Sequence, residues 1–150
     1  MGIYVFDSRL GGIAVLEKEN FIAKIILNQN NDFSDHITPL VLKTKQQIEE
    51  YLVGKRKSFD IPYIIEGTDF QRKILTEMTK IPYGEKWSYK TLAKKAGFEG
   101  ASRACGTVCK NNTLQIIIPC HRVIKSDGSL GRYSSGSNIK KQLLELENSL

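Results

Sequence analysis

SYKTLAKKAGFEGASRACGTVCK, residues 88–110, is the stretch on which the fold turns. Ser88 can cap a helix that points Leu92, Ala93 and Ala96 inward, and Gly97 stands where such a helix ends. A short turn over 98–100 leads into a second helix over 101–110. Two short helices joined across a glycine-containing turn form a helix-turn-helix candidate. The second helix is thin. Ala101, Ser102, Ala104, Cys105 and Gly106 are small, so its backbone can approach a partner closely. Arg103 is the one long side chain among them, a lone cation placed to enter a groove.

The charge around this stretch is one-sided. The 150 residues carry 22 Lys+Arg against 16 Asp+Glu, a formal charge of +6. Residues 1–66 hold 8 basic and 9 acidic residues, whereas 67–150 hold 14 and 7. Within 86–125, Lys86, Lys90, Lys94, Lys95, Arg103, Lys110, Arg122 and Lys125 face a single acid, Glu99. Such a run favours a polyanion partner. At 41% hydrophobic and 25% charged, the composition excludes a disordered or collagen-like chain. No apolar run approaches the ~18 residues of a membrane span. The start MGIYVFDSRLGG lacks a signal peptide's basic and apolar regions. The expected setting is intracellular: cytoplasmic, or nuclear in a eukaryote, with no membrane partner.

Composition and periodicity divide the chain into an α/β domain over 1–66 and a helical domain over 67–150, an α+β protein. In the first, apolar runs at 3–6, 12–16 and 21–27 read as an antiparallel meander. A helix follows from Pro39 to Val53, stopped by Gly54, and a further strand is expected over 61–65. His36 has no cysteine or second histidine near it, and no metal is expected. In the second domain, Thr68 or Asp69 can cap a helix carrying Phe70, Ile74, Leu75 and Met78. Residues 114–124, LQIIIPCHRVI, read as a buried strand or extended segment delivering Cys120 inward. The stretch 126–137 is a glycine- and serine-rich loop, long enough to be functional. Asn138 is the expected cap of a last helix burying Ile139, Leu143, Leu144 and Leu146, with Glu147 near its end.

Three clustered cysteines, Cys105, Cys109 and Cys120, do not make a disulfide framework. Cys105 and Cys109 lie four apart on one helix face and suit packing. A free thiol is only roughly 3% thiolate at pH 7, and burial lowers that fraction, so a reactive Cys120 needs a base or cation close by. His121 is adjacent, but neighbours in an extended segment point to opposite faces. A bridging water or a bend after Pro119 would be needed. A buried inert cysteine and a reactive one both remain open on the residues alone.

Ile118-Pro119-Cys120-His121-Arg122-Val123 resembles the active-site signature of the O6-alkylguanine-DNA alkyltransferases, the methylated-DNA–protein-cysteine methyltransferases. The resemblance runs from about Thr68 to Glu147. It includes Ile81-Pro82-Tyr83-Gly84, Ser88-Tyr89, Leu92-Ala93, Ala101-Ser102-Arg103-Ala104, Asn112, Gly131, Tyr133-Ser134 and Leu143-Leu144. It implies a ribonuclease H-like first domain and a winged-helix-like helix-turn-helix in the second. It also implies a monomer that flips O6-alkylguanine out of double-stranded DNA and transfers the alkyl group once, irreversibly, to Cys120 without a cofactor. His121, through a water, would take the thiol proton, and Glu147 would orient His121. Tyr89 would hydrogen-bond the flipped base, Arg103 would fill its place in the stack, and Asn112 would hold the turn after the recognition helix. Backbone groups of Val123 and Ser134 would read the guanine edge, and Tyr133 would wall the alkyl pocket. Ala101, Ser102, Ala104, Gly106 and Lys110 would meet the DNA alongside Arg103, in the minor groove. Where the family commonly has Asn-Pro, this chain has Asn112-Thr113. The zinc-ligand cysteines of some relatives' first domain are missing from this chain, so no metal is implied. A non-catalytic alkyltransferase-like lesion binder is the competing reading, and such proteins usually lack the cysteine. A helix-turn-helix transcription factor would leave Pro-Cys-His-Arg and Glu147 unexplained.

Overall fold

The computed structural model describes residues 2–30 and 33–149. They form two compact units: residues 2–64 with 113–115, and residues 65–112 with 116–149. The piece 113–115 belongs to the first unit although the sequence places it deep in the second half.

In the first unit, β1 (Gly2–Phe6), β2 (Gly12–Lys18) and β3 (Phe21–Gln29) form an antiparallel sheet in the order β1-β2-β3. Alternation along β2 and β3, reset by a bulge between Ile22 and Lys24, buries Ile13, Val15, Ile22, Ile25 and Leu27. The helix α1 (Pro39–Leu52) covers them with Val41, Ile48 and Tyr51. Thr38 caps α1 by accepting from the Val41 N–H at 3.2 Å, and Pro39 fills the first turn, where no donor is needed. The expected strand over 61–65 is reduced to a single parallel bridge between Tyr63 and Ile22. Pro62 has no N–H to extend the ladder and offers only its carbonyl to the Ile22 N–H. On the other side of β3, the Ile25 N–H donates to the Thr113 carbonyl, and the Gln115 side chain accepts from the Leu27 N–H at 2.8 Å.

The second unit holds four helices: α2 (Asp69–Met78), α3 (Tyr89–Lys95), α4 (Ser102–Lys110) and α5 (Ser137–Leu146). Ile74 and Met78 of α2, Leu92 and Ala93 of α3, and Cys105 and Cys109 of α4 are fully buried. Thr68 starts α2 in a complete capping box with Gln71. Ser88 accepts from the Thr91 N–H at 3.0 Å to start α3. The turn out of α3 is set by Gly97 at φ +88°, which allows the Phe98 N–H to reach the Ala93 carbonyl and the Gly97 N–H that of Lys94. That is a Schellman closure, and it turns the chain toward α4.

The second domain is not all-helical as expected. Two short strands, β4 (Trp87–Ser88) and β5 (Val123–Ile124), pair in parallel and tie the start of α3 to the segment after Cys120. The expected continuous extension over 114–124 is also broken. Ile116 sits at φ +73°, an unfavourable conformation for a β-branched residue, inside a turn over 115–117. Pro119, at φ −81° and ψ 61°, makes an inverse γ-turn closed by the Cys120 N–H on the Ile118 carbonyl at 2.8 Å. A single 3₁₀ turn, Cys120–Arg122, follows. At the last helix the cap is Gly136 at φ +100°, not Asn138, and α5 begins two residues earlier than expected, at Ser137.

Thr68→Ala removes a capping-box oxygen from the first turn of α2 and is expected to lower stability by about 1 kcal/mol in urea unfolding. An unchanged midpoint would show that the box contributes nothing.

Candidate active site

Cys120 is fully buried at the head of the 3₁₀ turn. Its Sγ accepts a hydrogen bond from Asn112 Nδ2 at 3.0 Å, and the same amide donates to the Ile118 carbonyl at 3.1 Å. Asn112, just past α4, therefore clasps the approach to the cysteine and the sulfur together. Burial pushes the Cys120 thiol up to about 11, with the Asn112 hydrogen bond and Lys140 pulling the other way. At neutral pH the sulfur rests as a neutral thiol.

His121 is also fully buried, with Nε2 at 2.8 Å from Glu147 Oε2. Burial lowers its pKa below the usual 6.5, with Glu147 opposing that shift. A neutral imidazole that donates Nε2–H to a carboxylate carries its lone pair on Nδ1, which makes His121 a base. In a 3₁₀ turn successive side chains are rotated by about 120°, so thiol and imidazole still do not point the same way. The expectation of opposite faces in an extended segment gives way to this tighter geometry.

Glu147 closes the far end of α5 and is gripped from several sides. Arg122 donates Nε–H to Oε1 at 2.8 Å and Nη2–H to Oε2 at 3.0 Å. The Gly84 N–H reaches Oε1 at 3.2 Å, and Arg122 Nη1 donates to the Ile81 carbonyl at 2.7 Å. A bidentate Arg–carboxylate pair is strong and directional, and here it is buried. Arg122 is thus no part of the DNA-facing basic run in which the sequence placed it.

Tyr89, the first residue of α3, is buried against the loop after β5. A Cβ on Gly131, which sits at φ +75°, would lie 2.7 Å from the Tyr89 hydroxyl, so only glycine fits there. Tyr89 donates to the Arg132 carbonyl at 3.4 Å. Beside it opens a surface cavity of about 380 Å³, bordered by Tyr89, Ser102, Arg103, Gly106 and Gly131. That is within the range of small-molecule sites. Lys90, Arg103, Lys125 and Arg132 edge it, with no acid among its lining residues. Arg103, Ala104 and Lys110 are exposed on α4, and Ala101, Ser102 and Gly106 are half-buried. Tyr133 is buried and Ser134 exposed, so of these two only Tyr133 is enclosed.

Sequence reasoning missed Lys140. It is fully buried, and its Nζ donates to the Val123 carbonyl at 2.6 Å, the Arg132 carbonyl at 3.1 Å and the Tyr89 hydroxyl at 3.4 Å. The signal was present in the spacing. Lys140, Leu143, Leu144 and Glu147 fall at i, i+3, i+4 and i+7, one face of a helix.

Residues 69–149 match the family described as 6-O-methylguanine DNA methyltransferase, DNA binding domain. This chain belongs to that family. Its similarity extends over nearly the whole length of some members. It is 37% identical over 151 residues to the constitutive methylated-DNA–protein-cysteine methyltransferase of Bacillus subtilis, covering 94% of this chain and 92% of the relative. It is 49% identical over 102 residues to the methylated-DNA–protein-cysteine methyltransferase of Methanosarcina barkeri, covering 68% of this chain and 65% of the relative. The crystal structure of Mycobacterium tuberculosis OGT in complex with DNA superposes with a TM-score of 0.87 at 34% identity, covering 98% of this chain and 92% of that one.

A histidine kept neutral in the native state below its unfolded pKa makes stability depend on pH. The unfolded chain binds the extra proton first, so the His121 contribution is lost as pH falls below about 6.5. Unfolding followed against pH should show stability declining there, with a shallower decline in His121→Gln. An identical slope in both proteins would contradict a neutral buried His121.

Proposed function

We propose that this protein is a DNA-repair methylated-DNA–protein-cysteine methyltransferase whose own Cys120 is the acceptor. The observation that carries the site assignment is Cys120 held by Asn112 beside a buried His121–Glu147 pair at 2.8 Å. The reading extends to O6-alkylguanine in double-stranded DNA as substrate and to a protein that acts as a monomer in the cytoplasm, or the nucleus of a eukaryotic cell.

In this mechanism the buried thiol gives its proton to His121, through a water, and the imidazolium is stabilised by the Glu147 carboxylate. The thiolate attacks the alkyl carbon, a C–S bond forms and the C–O6 bond breaks. The electron pair stays on the guanine, which regains a proton and is released in ordinary form. The thioether is stable, so each molecule reacts once. Arg122 keeps Glu147 ionised without placing a net charge on the relay.

Delivery of the base falls to α3 and α4, which with the β4–β5 pair fit a winged-helix-like arrangement. The sheet and α1 of the first unit suit the ribonuclease H-like expectation. Arg103 is exposed at the rim of the 380 Å³ cavity, as a residue that replaces a flipped base must be. The buried Tyr89 lines the same cavity, and Lys90 and Lys125 offer phosphate contacts at its edge. Flipping costs a few kcal/mol, less for a poorly paired lesion.

Incubation with duplex DNA carrying labelled O6-methylguanine should move label to protein at one equivalent, mapped to Cys120 and abolished in Cys120→Ala. Label on Cys105 or Cys109 would overturn the assignment, and binding without transfer would favour the non-catalytic lesion binder. Arg103→Ala should slow transfer from duplex on the order of 10²-fold while leaving reaction with free O6-benzylguanine nearly unchanged, as loss of a few kcal/mol of flipping assistance requires. Equal losses on both substrates would remove Arg103 from flipping.

A further inference from the structure

Lys140 stands in the middle of the second unit with no role in the mechanism above. A fully buried ammonium is costly, and such a group persists only when its three N–H donors are satisfied. Here they reach acceptors on three separate elements: Val123 on β5, Arg132 on the loop before α5, and Tyr89 on α3. Among the described residues none of these acceptors is a carboxylate. The contrast with Arg122 is direct, since Arg122 spends its charge on Glu147. Lys140 is held by dipoles, and its charge remains available to an anion formed nearby.

We infer that Lys140 is a positioning residue for alkyl transfer, its ammonium fixing the Val123 and Arg132 carbonyls and the Tyr89 hydroxyl around the site and supplying the positive charge against which the Cys120 thiolate forms. This rests on the reading of Cys120 as the alkyl acceptor. His121 explains where the thiol proton goes, but a thiolate in a buried site also needs a cation that stays. The imidazolium gives up its proton when the guanine is reprotonated, whereas Lys140 is anchored from three sides. Each carbonyl oxygen has a second lone pair, so Val123 can accept from Lys140 and still face a base edge.

The titratable groups facing Lys140 are Tyr89 on α3, Cys109 on α4, and Cys120 and His121 on the 3₁₀ turn. Burial lowers the Lys140 pKa to about 8, and the two thiols resist that shift. Lys140 is therefore charged at neutral pH and loses its charge in mildly alkaline solution, well before an ordinary lysine. Burial raises Cys109 and Tyr89 above their usual ranges, so both stay neutral in that window and neither ionises.

The test is the single-turnover rate of label transfer from O6-methylguanine duplex, measured against pH for wild type, Lys140→Met and Lys140→Arg. Wild type should lose rate as pH rises through about 8. Lys140→Met should be at least about tenfold slower at neutral pH, the effect of one pKa unit on the thiolate fraction, and should lack the alkaline loss. Lys140→Arg carries a charge that does not titrate, so it should also lack that loss and recover part of the rate. Duplex affinity should be the same for all three, which a general packing defect would not give. A wild-type rate that is flat or rising through pH 8 overturns the inference whether or not the variants fold. So does Lys140→Met with the wild-type rate and profile. Failure of wild type to take label at any pH overturns the reading of Cys120 itself, and the Lys140 inference with it.

Discussion

The Glu147 carboxylate, buried and shared between a guanidinium and a neutral imidazole, is the constraint on which the site depends. Arg122 spans both of its oxygens and His121 Nε2 approaches one of them. An ionised carboxylate cannot stay buried alone, and a buried arginine cannot either. Together they form a neutral pair that leaves the imidazole free to be neutral as well. The pair also reaches widely, because Arg122 holds the Ile81 carbonyl and Glu147 holds the Gly84 N–H. The segment after α2, the 3₁₀ turn and the end of α5 are joined at one point.

In the mechanism we propose, that junction lets a thiol with a raised pKa serve as a nucleophile. Cys120 does not need to be a thiolate at rest, and in a fully buried site a resting thiolate would be costly. It needs a base close by and a polar environment already arranged for the anion. In the proposed mechanism His121 is the base; Asn112 donates to the sulfur, and the Lys140 ammonium lies in the same interior. The thiol is inert until a proton acceptor and an alkyl carbon are both in place, which suits the proposed single-turnover transfer to Cys120.

Much of this was legible in the sequence, for identifiable reasons. Strong local patterns survived: the alternation along β2 and β3, the Ser88 cap with its Gly97 stop, and the helix face of Leu143, Leu144 and Glu147. The residues around Cys120 were harder to read. An apolar run over 114–118 has the pattern of a strand, but the backbone turns at Ile116 and Pro119, where tertiary contacts override propensity. The parallel β4–β5 pair escaped notice because two-residue strands leave no periodic signal. Arg122 and Lys140 were invisible for a different reason. A buried cation looks like a surface cation in a charge count, and only its partners reveal it.

The proposed proton transfer requires His121 to be a neutral base in the resting protein. Nitrogen-15 NMR of the imidazole, with His121 assigned by comparison to a His121→Gln sample, reads this state directly. At neutral pH the His121 nitrogens should show a neutral ring protonated at Nε2. An imidazolium at neutral pH would contradict the account, because His121 could not then accept the Cys120 proton.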